Sequence, residues 1–82
     1  MITNQTTLNE LLDLAKESTK DLNAGEIFIV KDLFRGFEWN RIAPGIRTKL
    51  GSMYFAYAQE LGSSDIQPLG KTPQNQQKYK KK

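Results

Sequence analysis

The chain closes with Asp65-Ile-Gln-Pro-Leu-Gly-Lys-Thr-Pro-Gln-Asn-Gln-Gln-Lys-Tyr-Lys-Lys-Lys82, two short extended runs on either side of the turn signal Thr72-Pro-Gln-Asn75. This pattern predicts a β-hairpin with arms over residues 65–71 and 76–81. Pro68 cannot donate a hydrogen bond to a strand ladder, so its arm is expected to be an edge strand or to carry a bulge. Five of the twelve Lys and Arg residues lie in this hairpin, against a single acid.

Upstream of the hairpin, the first predicted element is an amphipathic helix over residues 7–16, where leucines and an alanine recur at helical spacing. Thr6 or Thr7 is expected to cap this helix, with Glu10 three residues after Thr7 as in a capping box. Residues 26–30, Glu-Ile-Phe-Ile-Val, are rich in β-branched and aromatic side chains and predict a short strand.

A short second helix is predicted directly after this strand. Asp32 is a suitable N-cap for a helix over residues 33–35. Gly36 would end that helix, and residues 37–41 would form an irregular linker.

A third helix is predicted to begin at Pro44, because the fixed φ of proline suits the first helical position and its missing N–H is not needed there. The helix would run to Leu61, with Gly62 as its stop. Phe55 lies on the opposite side from the apolar stripe, and it is expected either to pack beneath the hairpin or to offer a platform for base stacking. The stripe itself consists of Ile46, Leu50, Met53, Tyr54, Tyr57 and Leu61.

The order helix, strand, helix, helix, strand, strand is that of a winged helix. In that fold a helix-turn-helix is followed by a β-hairpin wing, and the first short strand completes a small sheet. We therefore expect an α+β fold, a single winged-helix domain over residues 1–82 with a basic C-terminal β-hairpin wing. Residues 1–5 and 80–82 are candidates for disordered ends.

Composition narrows the possible functions. The absence of cysteine and histidine removes thiolate and imidazole metal ligands and the usual general base. No glycine-rich phosphate loop occurs, so a non-enzymatic protein without a cofactor or metal is expected. No apolar run is long enough to span a membrane and no signal-peptide pattern is present, which favours a cytoplasmic protein with no membrane partner.

The net charge of +3 at pH 7 is unevenly distributed. Residues 1–30 carry five acids against two lysines, whereas residues 31–50 carry five bases against two acids. Such polarity favours an anionic partner, with a lysine-rich tail kept for solubility as the alternative explanation of the hairpin.

The predicted nucleic-acid-binding residues lie near the start of the third helix and in the hairpin. At the helix start, the macrodipole and the free backbone N–H groups favour an anion. If about five phosphates of a single strand are neutralised, log K should fall with log salt at a slope of roughly −3.5. These residues are Trp39, Arg41, Arg47, Thr48, Lys49, Lys71, Lys78, Tyr79, Lys80 and Lys81.

Three of these side chains have two interpretations. Trp39 is either a core anchor that closes the linker or a stacking residue at the surface. Tyr79 is either the packing residue of the wing or a stacking ring surrounded by lysines. Arg47 could read guanine or bind phosphate, and phosphate contact is favoured.

A resemblance adds to these signals. It is carried by Ala24-Gly-Glu-Ile-Phe-Ile-Val-Lys-Asp-Leu-Phe-Arg-Gly-Phe-Glu-Trp-Asn-Arg-Ile42 and by Leu69-Gly-Lys-Thr-Pro-Gln-Asn-Gln-Gln-Lys-Tyr79. Both runs are similar to the patterns of a small uncharacterised-domain family of Gram-positive bacteria and their mobile elements. The resemblance implies a winged-helix single-stranded-DNA-binding protein encoded beside the replicative helicase of a cassette-type genomic island. It also implies that helicase as a partner, but it supplies no residue-level binding motif.

The leading hypothesis is therefore sequence-tolerant binding of single-stranded DNA in the replication of a mobile genetic element, by phosphate neutralisation and base stacking. One alternative is a duplex-DNA-binding transcriptional regulator that reads bases with its third helix. The other is a protein-interaction adaptor or inhibitor that docks through its acidic first helix. The sequence leaves the oligomeric state and the base preference open.

Overall fold

The computed structural model describes residues 2–3, 5–60, 62–74 and 76–82. Over these residues it forms a small α+β fold with three α-helices, a 3-10 helix and a three-stranded antiparallel sheet. Helices and strands follow one another in the predicted order, although several boundaries differ. In chain order the elements are α1 (Leu8–Thr19), β1 (Ile27–Phe28), the 3-10 helix (Val30–Leu33), α2 (Gly36–Trp39), α3 (Pro44–Gln59), β2 (Ile66–Lys71) and β3 (Gln77–Lys81).

A capping box starts α1, as predicted. The Thr7 hydroxyl oxygen accepts a hydrogen bond from the Glu10 backbone N–H (3.2 Å), and the Glu10 carboxylate accepts one from the Thr7 backbone N–H (3.2 Å). Hydrogen bonds from the Thr7 side chain and backbone lower the pKa of the Glu10 carboxyl. The helix continues beyond its predicted end because Thr19 is buried, with its hydroxyl 2.8 Å from the Ala15 carbonyl oxygen and 2.6 Å from the Tyr54 hydroxyl.

The segment after β1 differs from the prediction. Val30–Leu33 form a 3-10 helix, and Asp32 lies inside it, where its carboxylate accepts a hydrogen bond from the Ile29 backbone N–H (3.1 Å). Asp32 therefore caps this turn from within and does not precede the predicted second helix. Both ends of the turn are buried against the core, which explains why β1 is only two residues long.

Gly36 begins α2, whereas the sequence predicted that it would end a helix. Phe34 adopts extended dihedrals (φ −125°, ψ 152°) and thereby separates the 3-10 helix from α2. Its ring packs against that of Trp39 with 5.7 Å between the centroids. Residues 37–39 of the predicted linker are helical, since the Trp39 N–H donates to the Arg35 carbonyl oxygen (2.9 Å) and the Asn40 N–H to that of Gly36 (3.1 Å).

The third helix, α3, spans Pro44–Gln59 and begins where it was predicted to begin. The predicted end at Leu61 lies outside the described residues. The helix ends earlier, at Gln59 with Glu60 as its C-cap, so Gly62 is not the residue that stops it; the Gly62 backbone N–H donates to the Tyr57 carbonyl oxygen (2.8 Å) beyond that end. A Cβ at Gly62 would lie 2.8 Å from the Tyr57 ring, so a side chain at this position would displace that ring.

The hairpin forms from β2 and β3 as predicted, and β1 pairs with the other side of β3. The strand order is β1-β3-β2, so β2 is an edge strand, and its register shifts between Pro68 and Lys71. Both features agree with the expectation for Pro68. Lys80 and Lys81 lie within β3, although they were predicted to belong to a disordered end, and Asn75 of the predicted turn lies outside the described residues.

The core lies between α3 and one face of the sheet. Leu50, Tyr54 and Ala58 are the fully buried residues of α3, and the predicted stripe included the first two but not Ala58. The Tyr54 ring lies 6.4 Å from that of Phe28 and 5.1 Å from that of Tyr79. Burial raises the pKa of the Tyr54 hydroxyl to about 12. Since α1 packs against α3, both helices lie on the same side of the sheet.

Candidate nucleic-acid interface

An open groove with a volume of about 890 Å3 runs between α3 and the β2–β3 hairpin. We call it the α3–hairpin groove. Its walls carry the three cations Lys31, Arg47 and Lys71 and two partly buried aromatic rings, Trp39 and Phe55. The remaining lining residues are Ile29, Val30, Pro44, Thr48, Gly51, Ser52, Gln76, Gln77 and Tyr79.

Arg47 and Trp39 form a cation–π pair in the wall of the groove. The guanidinium carbon lies 5.4 Å from the Trp39 ring centroid, within the ~6 Å range of this interaction. The Arg47 Nε is buried and makes no hydrogen bond within the described part of the chain. Neither of the ion pairs found among those residues involves Arg47. The aromatic ring therefore orients this charge, and no carboxylate neutralises it.

The floor of the groove is open because α3 presents small side chains there. A Cβ built on Gly51 meets no atom within 4 Å, and Ser52 beside it is exposed. Phe55, one turn further on, packs partly against the core while its ring also lines the groove. Phe55 is thus partly buried and also lines the groove, and its role as a stacking platform stays a prediction.

The hairpin supplies the opposite rim. Lys71 pairs with Gln77 across the β2–β3 ladder, and Gln77 lies two positions from Tyr79, so these side chains belong to the same face of the sheet. The Gln77 amide donates to the carbonyl oxygens of Leu69 and Lys78, which fixes its orientation. Lys71 is exposed, so its ammonium group is available at the edge of the groove.

The structure corrects the prediction that Tyr79 stacks on bases. Tyr79 is 0% exposed, and its ring lies between those of Phe28 and Tyr54, with centroid distances of 5.6 and 5.1 Å. Burial raises the pKa of its hydroxyl above the ordinary value. The hydroxyl makes no hydrogen bond among the described residues. Tyr79 is therefore the packing residue of the hairpin, because inward-facing positions of β3 point at α3.

Arg41 binds the N-terminal segment of the chain and does not line the groove. Its Nη1 donates to the Ile2 carbonyl oxygen (2.7 Å), and its guanidinium lies 5.0 Å from the Phe37 ring centroid. Ile2 itself is buried and its backbone N–H donates to the Glu38 carboxylate (3.2 Å), so this end of the chain is bound to α2. Arg41 lines a second, smaller cavity of about 240 Å3.

Two further predicted residues of α3 differ in their placement. Thr48 lines the groove, but its hydroxyl donates to the Pro44 carbonyl oxygen one turn earlier (3.2 Å). Lys49 is exposed and does not line the groove. The start of α3 therefore contributes Arg47 as its one cation in the groove among the described residues.

The lysines of β3 are divided between the two faces of the sheet. Lys80 pairs laterally with Ile27 of β1 and Gln67 of β2, in a row that faces away from α3. Lys78 alternates with Tyr79 and lies on the same outer face. We call Ile27, Gln67, Lys78 and Lys80 the outer sheet surface. Lys81 lies on the inner side, where its backbone N–H donates to the Glu26 carbonyl oxygen (2.9 Å).

Of the ten predicted residues, the structure brings Trp39, Arg47, Thr48 and Lys71 together in accessible positions around the groove. Sequence reasoning missed Lys31, which lies in the 3-10 helix after β1 and lines the groove in the folded chain. It also missed Ser52 and the two glutamines of the hairpin. The hairpin register could have indicated Gln77, since this residue alternates with Tyr79 on β3.

Two other features were sought among the described residues, a metal site and a membrane-spanning helix. No group of three or more Asp or Glu side chains is arranged there to hold a metal ion. No helix within the described ranges is long and apolar enough to cross a membrane.

Comparison with known proteins gives one match. A family model described as a domain of unknown function (DUF1413) matches residues 13–81. No curated protein and no solved structure matches the chain.

Proposed function

The chain belongs to the family described as a domain of unknown function, DUF1413, and we propose that it binds single-stranded DNA with little sequence preference in the α3–hairpin groove. The observation that carries this proposal is the Arg47–Trp39 pair, an unneutralised cation held against an aromatic ring in an open groove. The activity is binding without catalysis.

Three cations would neutralise the phosphates of the bound strand. Lys31 and Lys71 are exposed, and Arg47 of α3 lies in the wall of the groove. No carboxylate is among the lining residues, so the lining carries three positive charges and no negative one. If each cation neutralises one phosphate of a single strand, log K should fall with log salt at a slope of roughly −2.

Base stacking falls to Trp39 and Phe55. Both rings are partly buried and line the groove, so each is fixed by the core while a portion remains accessible. Stacking on aromatic rings tolerates any base because every base has a π face. An unpaired base is needed for such a contact, since the bases of a duplex are already stacked on one another.

The surface of α3 offers little to a duplex. Its first turn begins Ala43-Pro44-Gly45, which supplies no side chain that reads a base edge. The Thr48 hydroxyl is already bonded to a backbone carbonyl oxygen. Three helices followed by a hairpin are compatible with a winged-helix-like fold, and we propose that this domain uses the groove beside its third helix in place of helix insertion into the major groove.

The biological setting that we propose is replication of a mobile genetic element in the cytoplasm, with the replicative helicase of the same element as partner. This part of the proposal is supported by the resemblance of residues 24–42 and 69–79 described above.

The test compares two pairs of lysines. The groove variant carries Lys31→Glu and Lys71→Glu, and the matched control carries Lys78→Glu and Lys80→Glu on the outer sheet surface, so both change the net charge equally. Fluorescence anisotropy would measure affinity for an oligo-dT of about eight nucleotides, within the ~4–16 nucleotides that a small single-strand-binding module covers. We expect the groove variant to lose at least roughly tenfold in affinity and the control to stay within about twofold at moderate salt.

Four results would contradict the proposal. Equal loss in both variants would indicate a diffuse electrostatic attraction. A salt slope near −3.5 would mean that the outer lysines also bind phosphates, since about five contacts give that value. Tighter binding of a mixed duplex of equal length would favour the duplex-regulator alternative, and no binding to either nucleic acid at low salt would favour a protein-interaction module.

A further inference from the structure

Two exposed surfaces of opposite charge each surround an exposed aliphatic side chain. On α1, Glu10, Asp13, Leu14 and Glu17 lie on one side of the helix at spacings of three and four residues, and we call them the acidic α1 surface. On the sheet, the outer sheet surface places its two lysines beside Ile27.

The two aliphatic residues are unusually exposed for their size. Leu14 is 41% and Ile27 is 60% exposed. The remaining exposed large hydrophobic residue in the described ranges is Phe37, and the Arg41 guanidinium lies over its ring. Leu14 and Ile27 are thus each exposed among charged side chains, the arrangement of an apolar contact with a polar rim.

The charged side chains of these surfaces have few partners within the described part of the chain, apart from Glu10, whose carboxylate accepts hydrogen bonds from Thr7 in the capping box. Asp13, Lys78 and Lys80 belong to neither of the ion pairs found among the described residues. Glu17 pairs only with Lys20, at 3.5 Å between two exposed side chains. Such an exposed pair contributes little and exchanges readily for another partner.

We infer that the acidic α1 surface of one copy docks on the outer sheet surface of another copy. The signs are complementary, with three carboxylates facing two lysines, and each surface offers one aliphatic side chain to the other. The outer sheet surface lies on the side of the sheet opposite to α1, because α1 packs on α3 and α3 covers the inner face. A copy that engages one surface therefore leaves the other free for the next copy.

This contact is heterologous, so it extends head to tail and does not stop at a dimer. It also leaves the α3–hairpin groove open, since Lys71 of the groove and the lysines of the outer sheet surface lie on different faces of the hairpin. If the proposed function holds, adjacent copies on one strand would stabilise each other and bind cooperatively. The self-association itself does not depend on that function.

Charge reversal on each surface tests the contact. Variant A carries Lys78→Glu and Lys80→Glu, which makes both of its surfaces acidic. Variant B carries Asp13→Lys and Glu17→Lys, which makes both of its surfaces basic. A mixture of A and B restores opposite charges at every junction, as does a single chain that carries all four substitutions.

Sedimentation of the free protein at high concentration is the first measurement. We expect the unmodified chain to associate at low salt, A and B alone to remain monomeric, and both the mixture and the four-fold variant to associate again. All variants should keep the circular dichroism spectrum of the unmodified protein, because the four substituted side chains lie outside the core. Failure of the mixture and of the four-fold variant to associate overturns the inference, whatever the result of the DNA experiment.

Titration of a long oligo-dT is the second measurement. On about forty nucleotides, enough for several copies, A and B should each bind roughly tenfold more weakly than the unmodified chain, and the mixture should recover this loss. On the eight-nucleotide oligomer, A should bind like the unmodified chain. If A is weak on both lengths and B does not rescue it, the outer lysines contact DNA directly and the docking contact is refuted.

Discussion

The α3–hairpin groove and the outer sheet surface are both basic, and β3 contributes to both, yet they differ in what surrounds their cations. In the groove, Arg47 lies over the ring of Trp39, and the lining includes a second aromatic residue. On the outer sheet surface, the lysines surround the aliphatic Ile27, and none of its four members is aromatic.

This difference separates two kinds of partner that net charge alone cannot distinguish. An aromatic ring beside a cation matches a nucleotide, which combines a flat base with a phosphate. An aliphatic side chain between lysines matches a protein surface that carries carboxylates and a leucine. The five consecutive residues of β3 contribute to both surfaces, because successive side chains of a strand point to opposite faces of the sheet.

Removal of the Trp39 ring from the groove is the change from which we expect the largest loss of affinity for single-stranded DNA. Trp39→Ala should weaken binding of a short oligo-dT by about 1–3 kcal/mol, roughly 5- to 150-fold, because it removes one stacked base and the ring that orients Arg47. Ile27→Ala is the matched truncation on the outer sheet surface and should leave this affinity unchanged within about twofold.

Because Trp39 also packs against Phe34, stability must be measured beside affinity. Trp39→Phe retains a ring and should recover most of the binding. The groove assignment fails if Trp39→Ala binds normally at a temperature where thermal unfolding shows the variant to be folded.

Much of the fold was predictable from local signals. The capping box of Thr7 and Glu10, the start of α3 at Pro44 and the edge position of Pro68 each depend on chemistry within a few residues. The second helix was misplaced because Asp32 is a good N-cap by type, whereas burial of Val30 and Leu33 decides where the turn forms. Local propensity cannot reveal which apolar residues the rest of the chain will cover.

The candidate site was less predictable, because it depends on which face of each strand and helix meets another element. Tyr79 illustrates the problem, since its lysine neighbours in sequence point away from it in the folded chain. Lys31 and Lys71 lie forty residues apart in sequence and meet at one groove only through the sheet. Arg41 was predicted from its position before α3, but the backbone of Ile2 binds its guanidinium.

Adding one methyl group to the floor of the groove should have a smaller effect than Trp39→Ala, and this effect should be a gain in stability. Gly51→Ala should stabilise the protein by about 0.5–1 kcal/mol, because alanine is more stable than glycine in the interior of a helix. The added methyl group meets no atom within 4 Å. One methyl group in so open a groove should not change affinity. Gly51→Phe, in contrast, should obstruct the groove and weaken oligo-dT binding while leaving self-association intact. Equal affinity in all three proteins would mean that DNA does not enter this groove.

The smallest effect is expected for Tyr79, whose side chain points to the opposite face of β3 from those of Lys78 and Lys80. Tyr79→Phe should leave the free energy of unfolding unchanged or raise it by up to about 1 kcal/mol, because the buried hydroxyl makes no hydrogen bond among the described residues and its loss removes a desolvation cost. Tyr54→Phe is the contrasting variant and should cost about 1 kcal/mol, since the Tyr54 hydroxyl lies 2.6 Å from that of Thr19. Urea unfolding measures both. Neither oligo-dT affinity nor self-association should change in Tyr79→Phe, because the Tyr79 side chain borders the groove but is 0% exposed and so offers no surface to a partner. A loss of affinity in this variant would show that the Tyr79 hydroxyl reaches the bound strand, and the separation of inward and outward residues along β3 would then be wrong.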